Sequence, residues 1–174
     1  HRLVEVAGRG HHHPNAVGAT QRNDDWIAAA PRVRTNDPRL AEAYATSVTD
    51  LASLRLHDPT GRHRPVVAAG APWYMTLFGR DALITAYMAL PIDRDMALGV
   101  LEVLAELQGV DIDHATEEQP GRIVHETRQL GLDGISLTRH GLYYGSADAS
   151  PLFVVLLGEL MRWGIAEDEL RGLV

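Results

Sequence analysis

Apolar and polar positions alternate at helical spacing along much of the chain. Leu40, Tyr44, Val48 and Leu51 stand three or four residues apart with polar residues between them, which predicts an amphipathic helix over 37–56. Three further segments carry enough apolar residues at this spacing to predict helices, and these cover 80–90, 94–108 and 150–163. A short acidic helix is predicted over 166–173. The pattern therefore predicts an all-α fold.

The predicted helices are of two kinds. Those over 80–90 and 150–163 carry apolar residues around their whole circumference, which predicts burial on every side. Those over 37–56 and 94–108 are amphipathic, with residues such as Glu102 facing water. Helices of both kinds are typical of an outer layer packed around an inner one. We therefore expect the chain to form part of a larger helical toroid.

Capping residues and helix breakers define the ends of these segments. Asp37, Asp93 and Ser150 each stand just before a predicted helix, where a short polar side chain can accept hydrogen bonds from the first free N–H groups. Gly164 follows the last apolar residues of its helix, as a C-terminal glycine commonly does. The helices are therefore delimited by local signals as well as by spacing.

Two regions lack helical spacing. Residues 1–36 are polar and predict an irregular N-terminal segment, which leaves 37–174 as the helical domain. Residues 109–149 form a long stretch that is either functional or conceals an unrecognised element.

A short strand is predicted at 66–67. The run His11–His13 is compatible with a metal-binding tract, but an exposed polar stretch or cloning remnant is the simpler interpretation.

Composition narrows the classes of function. Hydrophobic residues make up 45% of the 174, which excludes an intrinsically disordered chain. The net charge of −7 and the absence of basic runs argue against nucleic-acid or anionic-membrane partners. No apolar run approaches the length of a membrane span, and there is no cysteine, so we expect a cytoplasmic protein. Because the chain starts with His, we expect it to be a piece of a longer protein.

The first of three polar segments, 72–81, reads PWYMTLFGRD. It places Trp73 and Tyr74 shortly before Arg80 and Asp81, at the start of a helix predicted to be buried. Aromatic faces can stack on sugar rings, while Arg and Asp can hold hydroxyl groups through directed hydrogen bonds. The structural alternative is that Asp81 caps the helix, Arg80 pairs with a carboxylate and Trp73 fills the core.

The other two polar segments also have structural alternatives. EEQPGRIVHETR, over 117–128, could be a solvated run of charges. Its His125–Glu126 pair lacks the second His of a zinc-protease helix, which argues against metal chemistry. YYGSADASP, over 143–151, places Asp148 just before a helix, where it could merely complement the helix dipole.

The joint arrangement of the three segments favours a functional interpretation. Two of them come directly before helices assigned to the inner layer, and the third lies in the loop between those helices. In a ring of inner helices such loops gather at one end and form a funnel. Carboxylates, Arg and aromatic rings in a funnel are suited to carbohydrate chemistry, in which one carboxylic acid protonates the glycosidic oxygen.

In this order, segments 72–81, 117–128 and 143–153 resemble those of bacterial amylo-α-1,6-glucosidases and glycogen-debranching-type proteins. The resemblance covers about 26–164 and extends to the wider (α/α)6-toroid, or six-hairpin, glycoside hydrolases. Those include glucoamylases, trehalases, neutral invertases and processing α-glucosidases. The resemblance implies an inverting hydrolase with two carboxyl groups and no metal or other cofactor. Its substrate would be an oligosaccharide or α-glucan.

The resemblance also implies roles for individual residues. Asp148 corresponds to the general acid. The residues that correspond to ligands of sugar hydroxyl groups are Arg80 and Asp81. Those that correspond to contributors to the pocket or its rim are Glu126 and Arg128. The stacking platforms correspond to Trp73 and Tyr144. A general acid needs a raised pKa, whereas a helix N-terminus lowers the pKa of a carboxyl group. Whether desolvation by the neighbouring tyrosines outweighs that effect stays open.

The general base of these enzymes is a Glu in a C-terminal helical half that this sequence does not contain. We therefore expect the chain to be about the first half of a catalytic domain, an incomplete (α/α)6 toroid, and inactive in isolation. Two alternatives remain. The chain could be a non-catalytic carbohydrate-binding or regulatory domain, or a helical interaction module that self-associates through exposed apolar helices.

Overall fold

The structure is a computed structural model that describes residues 15–58, 63–127, 141–165 and 167–173. Six helices and four short strands lie within these ranges. The helices are α1 (Asn15–Ala29), α2 (Pro38–Ser53), α3 (Gly79–Ala89), α4 (Arg94–Glu106), α5 (Ala149–Arg162) and α6 (Glu167–Arg171). The strands are β1 (Arg55–Leu56), β2 (Val66–Val67), β3 (Glu126–Thr127) and β4 (Leu142–Tyr143). The described chain is mostly helical, as the apolar spacing predicts, and none of the six helices is long and apolar enough to cross a membrane.

The strands form two antiparallel pairs, β1 with β2 and β3 with β4. Val66 and Val67 are fully buried in β2, which confirms the short strand predicted there. The helix predicted to reach Leu56 ends earlier, at Ser53. Arg55 and Leu56 pair with β2 instead, because this pairing satisfies their backbone groups beside the core.

Two of the three predicted N-caps are confirmed. The side chains of Asp37 and Asp93 accept hydrogen bonds from backbone N–H groups in the first turns of α2 and α4. The cap predicted at Ser150 is wrong, because α5 begins at Ala149 and Asp148 holds the N-cap position. The Ser150 hydroxyl instead accepts a hydrogen bond of 3.0 Å from the backbone N–H of Ile123. Ser150 therefore ties the 109–149 region to α5.

α4 lies at the centre of the core and packs against both α3 and α5. Met96, Val100, Leu101 and Leu104 are each at most 1% exposed. The apolar side of α4 is broad, as predicted, and α4 carries more buried residues than any other helix in the described ranges. The starting turns of α3 and α5 lie at the same end of the core, because Arg80 at the start of α3 is 3.5 Å from Asp148 at the start of α5.

α3 and α5 are not buried on every side, so that prediction is wrong for this chain. Tyr87 and Met88 of α3 and Val154 and Val155 of α5 are exposed. An apolar groove of about 140 Å³ lies between the two helices. Both helices bury the side that faces α4, whereas none of the described elements covers the other side. Self-association through this apolar face stays a prediction.

The N-terminal segment is not irregular throughout, because α1 spans Asn15–Ala29. α1 has little helical patterning, so packing rather than spacing stabilises it. The indole N–H of Trp26 donates to Asp93 Oδ2 over 2.6 Å, and the Arg55 guanidinium lies 4.9 Å from the centre of the Trp26 ring. The run His11–His13 lies outside the described residues.

The long stretch over 109–149 contains structure that helical spacing cannot predict. Asp113 and Glu118 exchange backbone hydrogen bonds of 3.1 and 3.0 Å, which closes a tight turn. β3 and β4 lie further along, on either side of 128–140, which are not among the described residues. Of the two alternatives for this stretch, the structure thus shows that it contains elements which helical spacing does not reveal.

Candidate functional site

Backbone hydrogen bonds bring the three polar segments together. The central part is β3, with His125 just before it. The N–H of Gly79 donates to the carbonyl of His125 over 2.9 Å, and the N–H of Thr127 donates to the carbonyl of Leu77 over 3.1 Å. On the other side, the N–H of His125 donates to the carbonyl of Tyr143 over 2.8 Å. The second segment therefore lies between the first and the third, at the starts of α3 and α5.

Three predicted site residues form one charged group, which we call the Arg80 cluster: Arg80, Asp81 and Asp148. Arg80 Nε lies 3.7 Å from Asp81 Oδ2, and Arg80 Nη1 lies 3.5 Å from Asp148 Oδ2. All three side chains are between 38% and 47% exposed, so solutes can reach them. The structural alternative that Arg80 pairs with a carboxylate is thus correct. The alternative that Asp81 caps α3 is wrong, because Phe78 holds that position.

Asp148 is in an environment that favours its charged form. The Ser146 hydroxyl donates a hydrogen bond to Asp148 Oδ1, and this contact, followed by the positive charge of Arg80, lowers the pKa of Asp148. Partial burial acts in the opposite direction but is outweighed. The structure therefore answers the question that the sequence leaves open. In this chain the local hydrogen bond and Arg80 prevail over desolvation, and Asp148 is ionised at neutral pH.

Trp73 is available for stacking. Its side chain is 85% exposed, so the alternative that it fills the core is wrong. It lies in a tight turn closed by backbone hydrogen bonds between Gly70 and Tyr74. Tyr74 contacts Phe78 edge-to-face, with ring centres 5.9 Å apart, and Phe78 contacts His125 in the same way. A row of rings thus connects the turn that carries Trp73 to the second polar segment.

Tyr144 cannot act as a stacking platform, so that assignment is wrong. It is 1% exposed, and its hydroxyl donates to the carbonyl of Leu107 over 2.9 Å. Tyr143 is half-buried, and its hydroxyl donates to Glu117 over 3.1 Å. Adjacent residues of an extended segment point to opposite sides, so only one of the two tyrosines can face outward.

The remaining predicted residues divide into one near the site and one without a described position. Glu126 is half-buried in β3, opposite Tyr143 and bridged to Phe78. Arg128 lies outside the described residues. Sequence reasoning missed Ser146, although a Ser hydroxyl that accepts from the backbone N–H groups two and three residues on, here those of Asp148 and Ala149, is a recognisable local pattern. Within the described ranges, no group of three or more His, Asp or Glu side chains could hold a metal ion.

A second charged group lies beside α4 and contains Asp58, His63, Arg64 and Glu106. The last three of these residues line a cavity of about 520 Å³. His63 Nδ1 lies 2.8 Å from Asp58 Oδ2, and His63 Nε2 lies 2.6 Å from Glu106 Oε2. Arg64 connects the same region to α6 through Glu169, over 3.0 Å. Burial alone would lower the pKa of His63, but the hydrogen bonds to the two carboxylates outweigh burial and raise that pKa.

His63 should make folding stability depend on pH. A protonated imidazole donates to both carboxylates, whereas a neutral ring donates only one hydrogen bond. Because the pKa is raised on folding, this stabilisation is complete below about pH 6.5 and is lost as the pH rises through the raised value. Urea unfolding at pH 6 and pH 9 should show a loss on the order of 1 kcal/mol that is absent in His63→Gln. Parallel pH dependence in the two proteins would contradict this.

Comparison with known proteins adds no assignment. No protein-family model matches the chain, and no curated protein matches it either.

Proposed function

We propose that the chain forms part of the active site of a glycoside hydrolase. The enzyme would act on α-glucosidic linkages, of the amylo-α-1,6-glucosidase or debranching type. The observation that carries the proposal is the Arg80 cluster, in which one guanidinium lies between two accessible carboxylates where three polar segments meet. The resemblance of those segments to the debranching type supplies the substrate class.

Each member of the cluster has a chemical task in this proposal. Arg80 donates hydrogen bonds to the hydroxyl groups of the terminal glucose, and Asp81 accepts from them. Trp73 stacks on the apolar face of a sugar ring. Asp148 gives its proton to the glycosidic oxygen as the bond to the anomeric carbon breaks. Water attacks that carbon from the opposite face and loses its proton to a second carboxylate, so the configuration inverts.

Asp148 must hold a proton to act as the acid, and Ser146 and Arg80 oppose this in the unoccupied site. A bound sugar that excludes water and takes over hydrogen bonds from Arg80 would raise the pKa of Asp148, as would a nearby carboxylate. The resemblance assigns the base to a Glu of a C-terminal helical half. We therefore propose that hydrolysis requires this half, with the two carboxyl groups roughly 6.5–9.5 Å apart.

We also propose that α2–α5 are successive helices of an (α/α)6 toroid. α3 and α5 pack against each other, and their first turns together form the Arg80 cluster. Both helices leave an apolar side exposed, and neighbouring helices of a complete ring would cover it. These features support inner-layer positions for α3 and α5.

A second candidate function is carbohydrate binding without catalysis. The lowered pKa of Asp148 favours it, because an ionised carboxylate accepts hydrogen bonds from sugar hydroxyls but cannot protonate a glycosidic oxygen. Trehalase-, invertase- and glucoamylase-like activities are variants of the first candidate that differ only in substrate.

Both candidate functions require this chain to bind a sugar, and an NMR titration tests that requirement. Isomaltose, panose, maltose, trehalose and sucrose are titrated while amide, indole and guanidinium signals are followed by NMR. We expect binding of at least one α-glucoside to shift the signals of Trp73 and Arg80, and Arg80→Gln to abolish these shifts. The matched control is Arg39→Gln, because Arg39 is an exposed Arg that also pairs with an Asp. Shifts that persist in Arg80→Gln would place the sugar elsewhere.

Release of glucose, with its anomeric form followed by NMR, separates the two candidates. This chain is assayed beside a longer form that carries the second helical half. Release of β-glucose from an α-linked substrate by the longer form alone supports the hydrolase. Binding without hydrolysis by either form supports the binding domain, and absence of both activities contradicts both candidates.

A further inference from the structure

Three basic side chains lie where α1 meets the segment that begins with β1, since one of them contacts a ring of α1 and all three interact electrostatically. They are Arg22 of α1, Arg55 of β1 and His57, and we call them the Arg55 cluster. Arg22 is exposed, whereas Arg55 and His57 are half-buried. Among the described residues, neither Arg22 nor Arg55 has an ion-pair partner within 4 Å, although the chain has a net charge of −7. Its positive charges are therefore not neutralised by direct pairing.

Several polar atoms of this cluster are buried without a hydrogen-bond partner. They include Nε and Nη1 of Arg55 and Nε2 of His57. Buried polar atoms in native structures are nearly always hydrogen-bonded. The two Arg55 nitrogens, and Nε2 of His57 when it carries a proton, can therefore donate to an acceptor-rich group.

The surrounding residues compensate the charge of Arg55 only in part. Its guanidinium lies 4.9 Å from the centre of the Trp26 ring, a favourable cation–π contact. Asp93 attracts it at longer range, but both carboxylate oxygens of Asp93 are already engaged. One accepts from the Trp26 indole and the other from backbone N–H groups of α4. No described carboxylate oxygen is thus hydrogen-bonded to Arg55.

The like charges in the cluster act on one another. Burial, followed by Arg55 and Arg22, lowers the pKa of His57 to about 4. Burial and Arg22 likewise lower the pKa of Arg55, against the attraction of Asp93. These shifts agree with the geometry, because each of these two basic groups has a positive neighbour that makes no direct ion pair.

We propose that the Arg55 cluster binds a phosphate-class oxyanion. Such an ion carries up to two negative charges and several acceptor oxygens, which matches two guanidinium groups and one imidazole. Planar guanidinium groups bind this geometry through paired hydrogen bonds. Arg22 is the exposed member of the cluster, so an ion that approaches from solvent meets its guanidinium first. The site is independent of the proposed sugar chemistry.

NMR titration of His57 in the full chain tests this proposal. The buffers contain sodium phosphate or sodium chloride at the same ionic strength, so general screening is equal. A bound oxyanion stabilises the imidazolium, so we expect phosphate to raise the pKa of His57 from about 4 by one unit or more. Identical His57 titration in the two buffers would overturn the proposal.

Variants distinguish the oxyanion site from a purely structural cluster. We expect Arg55→Gln and Arg22→Gln each to weaken phosphate binding at least tenfold, measured by the shift of the His57 signal. Arg22 is exposed, so its variant keeps the test valid if Arg55→Gln fails to fold. Arg39→Gln serves as the control and should bind as the unchanged chain does. Phosphate binding unaffected by Arg22→Gln would overturn the proposal.

Methyl phosphate, titrated in parallel, identifies the source of the oxyanion. Binding as tight as that of inorganic phosphate supports a site for phosphomonoesters. In such a site the oxygen that carries the ester group lies outside the cluster. Binding at least tenfold weaker supports a site for the free ion. Binding of neither compound overturns the proposal.

Discussion

Gly79→Ala is expected to lower the free energy of unfolding by about 3 kcal/mol or more, enough to unfold a marginally stable chain. A Cβ atom at Gly79 would overlap the carbonyl oxygen of Val124 and would lie 3.4 Å from the Cβ of Ala149. Val124 is completely buried, and the overlap is with its backbone, so no side-chain rotation can relieve it. Either α3 or the second polar segment would have to move.

Gly158→Ala is the matched control for this change. Gly158 also lies in a helix, α5, but an added Cβ would meet no atom within 4 Å. Alanine there should stabilise the helix by about 0.5–1 kcal/mol, because glycine is a poor helix former. Urea unfolding followed by circular dichroism at 222 nm compares the two variants. Equal stability of Gly79→Ala and Gly158→Ala would contradict the close approach at Gly79.

The same glycine links the fold to the candidate site. Its close approach to the second segment lets the Gly79 N–H donate to the His125 carbonyl. Arg80 is the next residue, so a movement of α3 that relieves the overlap displaces Arg80 from Asp148. We therefore expect Gly79→Ala to lose sugar binding even under conditions in which the chain stays folded.

Helix positions that depend on neighbouring residues were predictable from the sequence. Asp37 and Asp93 are caps because a carboxylate reaches N–H groups only two or three residues away. α1 was not predictable, because it depends on the hydrogen bond between Trp26 and Asp93, which lie 67 residues apart. Local spacing cannot report a partner at that distance.

The candidate site was predictable in its members but not in its geometry. The order of the three segments pointed to Arg80 and Asp148 together, and the structure places them 3.5 Å apart. Which of Tyr143 and Tyr144 faces outward depends on the pairing of β3 with β4, and a shift of one residue would exchange them. The low pKa of Asp148 depends on the hydroxyl of Ser146, whose orientation the sequence does not specify.

Asp148→Asn, made in the form that carries both helical halves, is expected to reduce kcat for glucose release about 10²–10⁴-fold. The amide keeps the shape of the carboxyl group, but its N–H protons are not acidic enough to be transferred to the glycosidic oxygen. The Asp148 side chain is 44% exposed, so its replacement should not prevent folding. Sugar affinity should change little, because the side-chain oxygen can still accept a hydrogen bond from Arg80 or from a sugar hydroxyl.

Two substrates with different leaving groups test whether Asp148 is the general acid. Fluoride departs without protonation, so Asp148→Asn should hydrolyse α-glucosyl fluoride at close to the unchanged rate while failing on α-glucans. Asp81→Asn is the contrasting variant, because a hydroxyl ligand should raise KM for both substrates alike. If Asp148→Asn slows fluoride and α-glucan hydrolysis equally, Asp148 holds the sugar and does not protonate the leaving oxygen. Comparison of the two substrates thus separates proton transfer from binding at one carboxyl group.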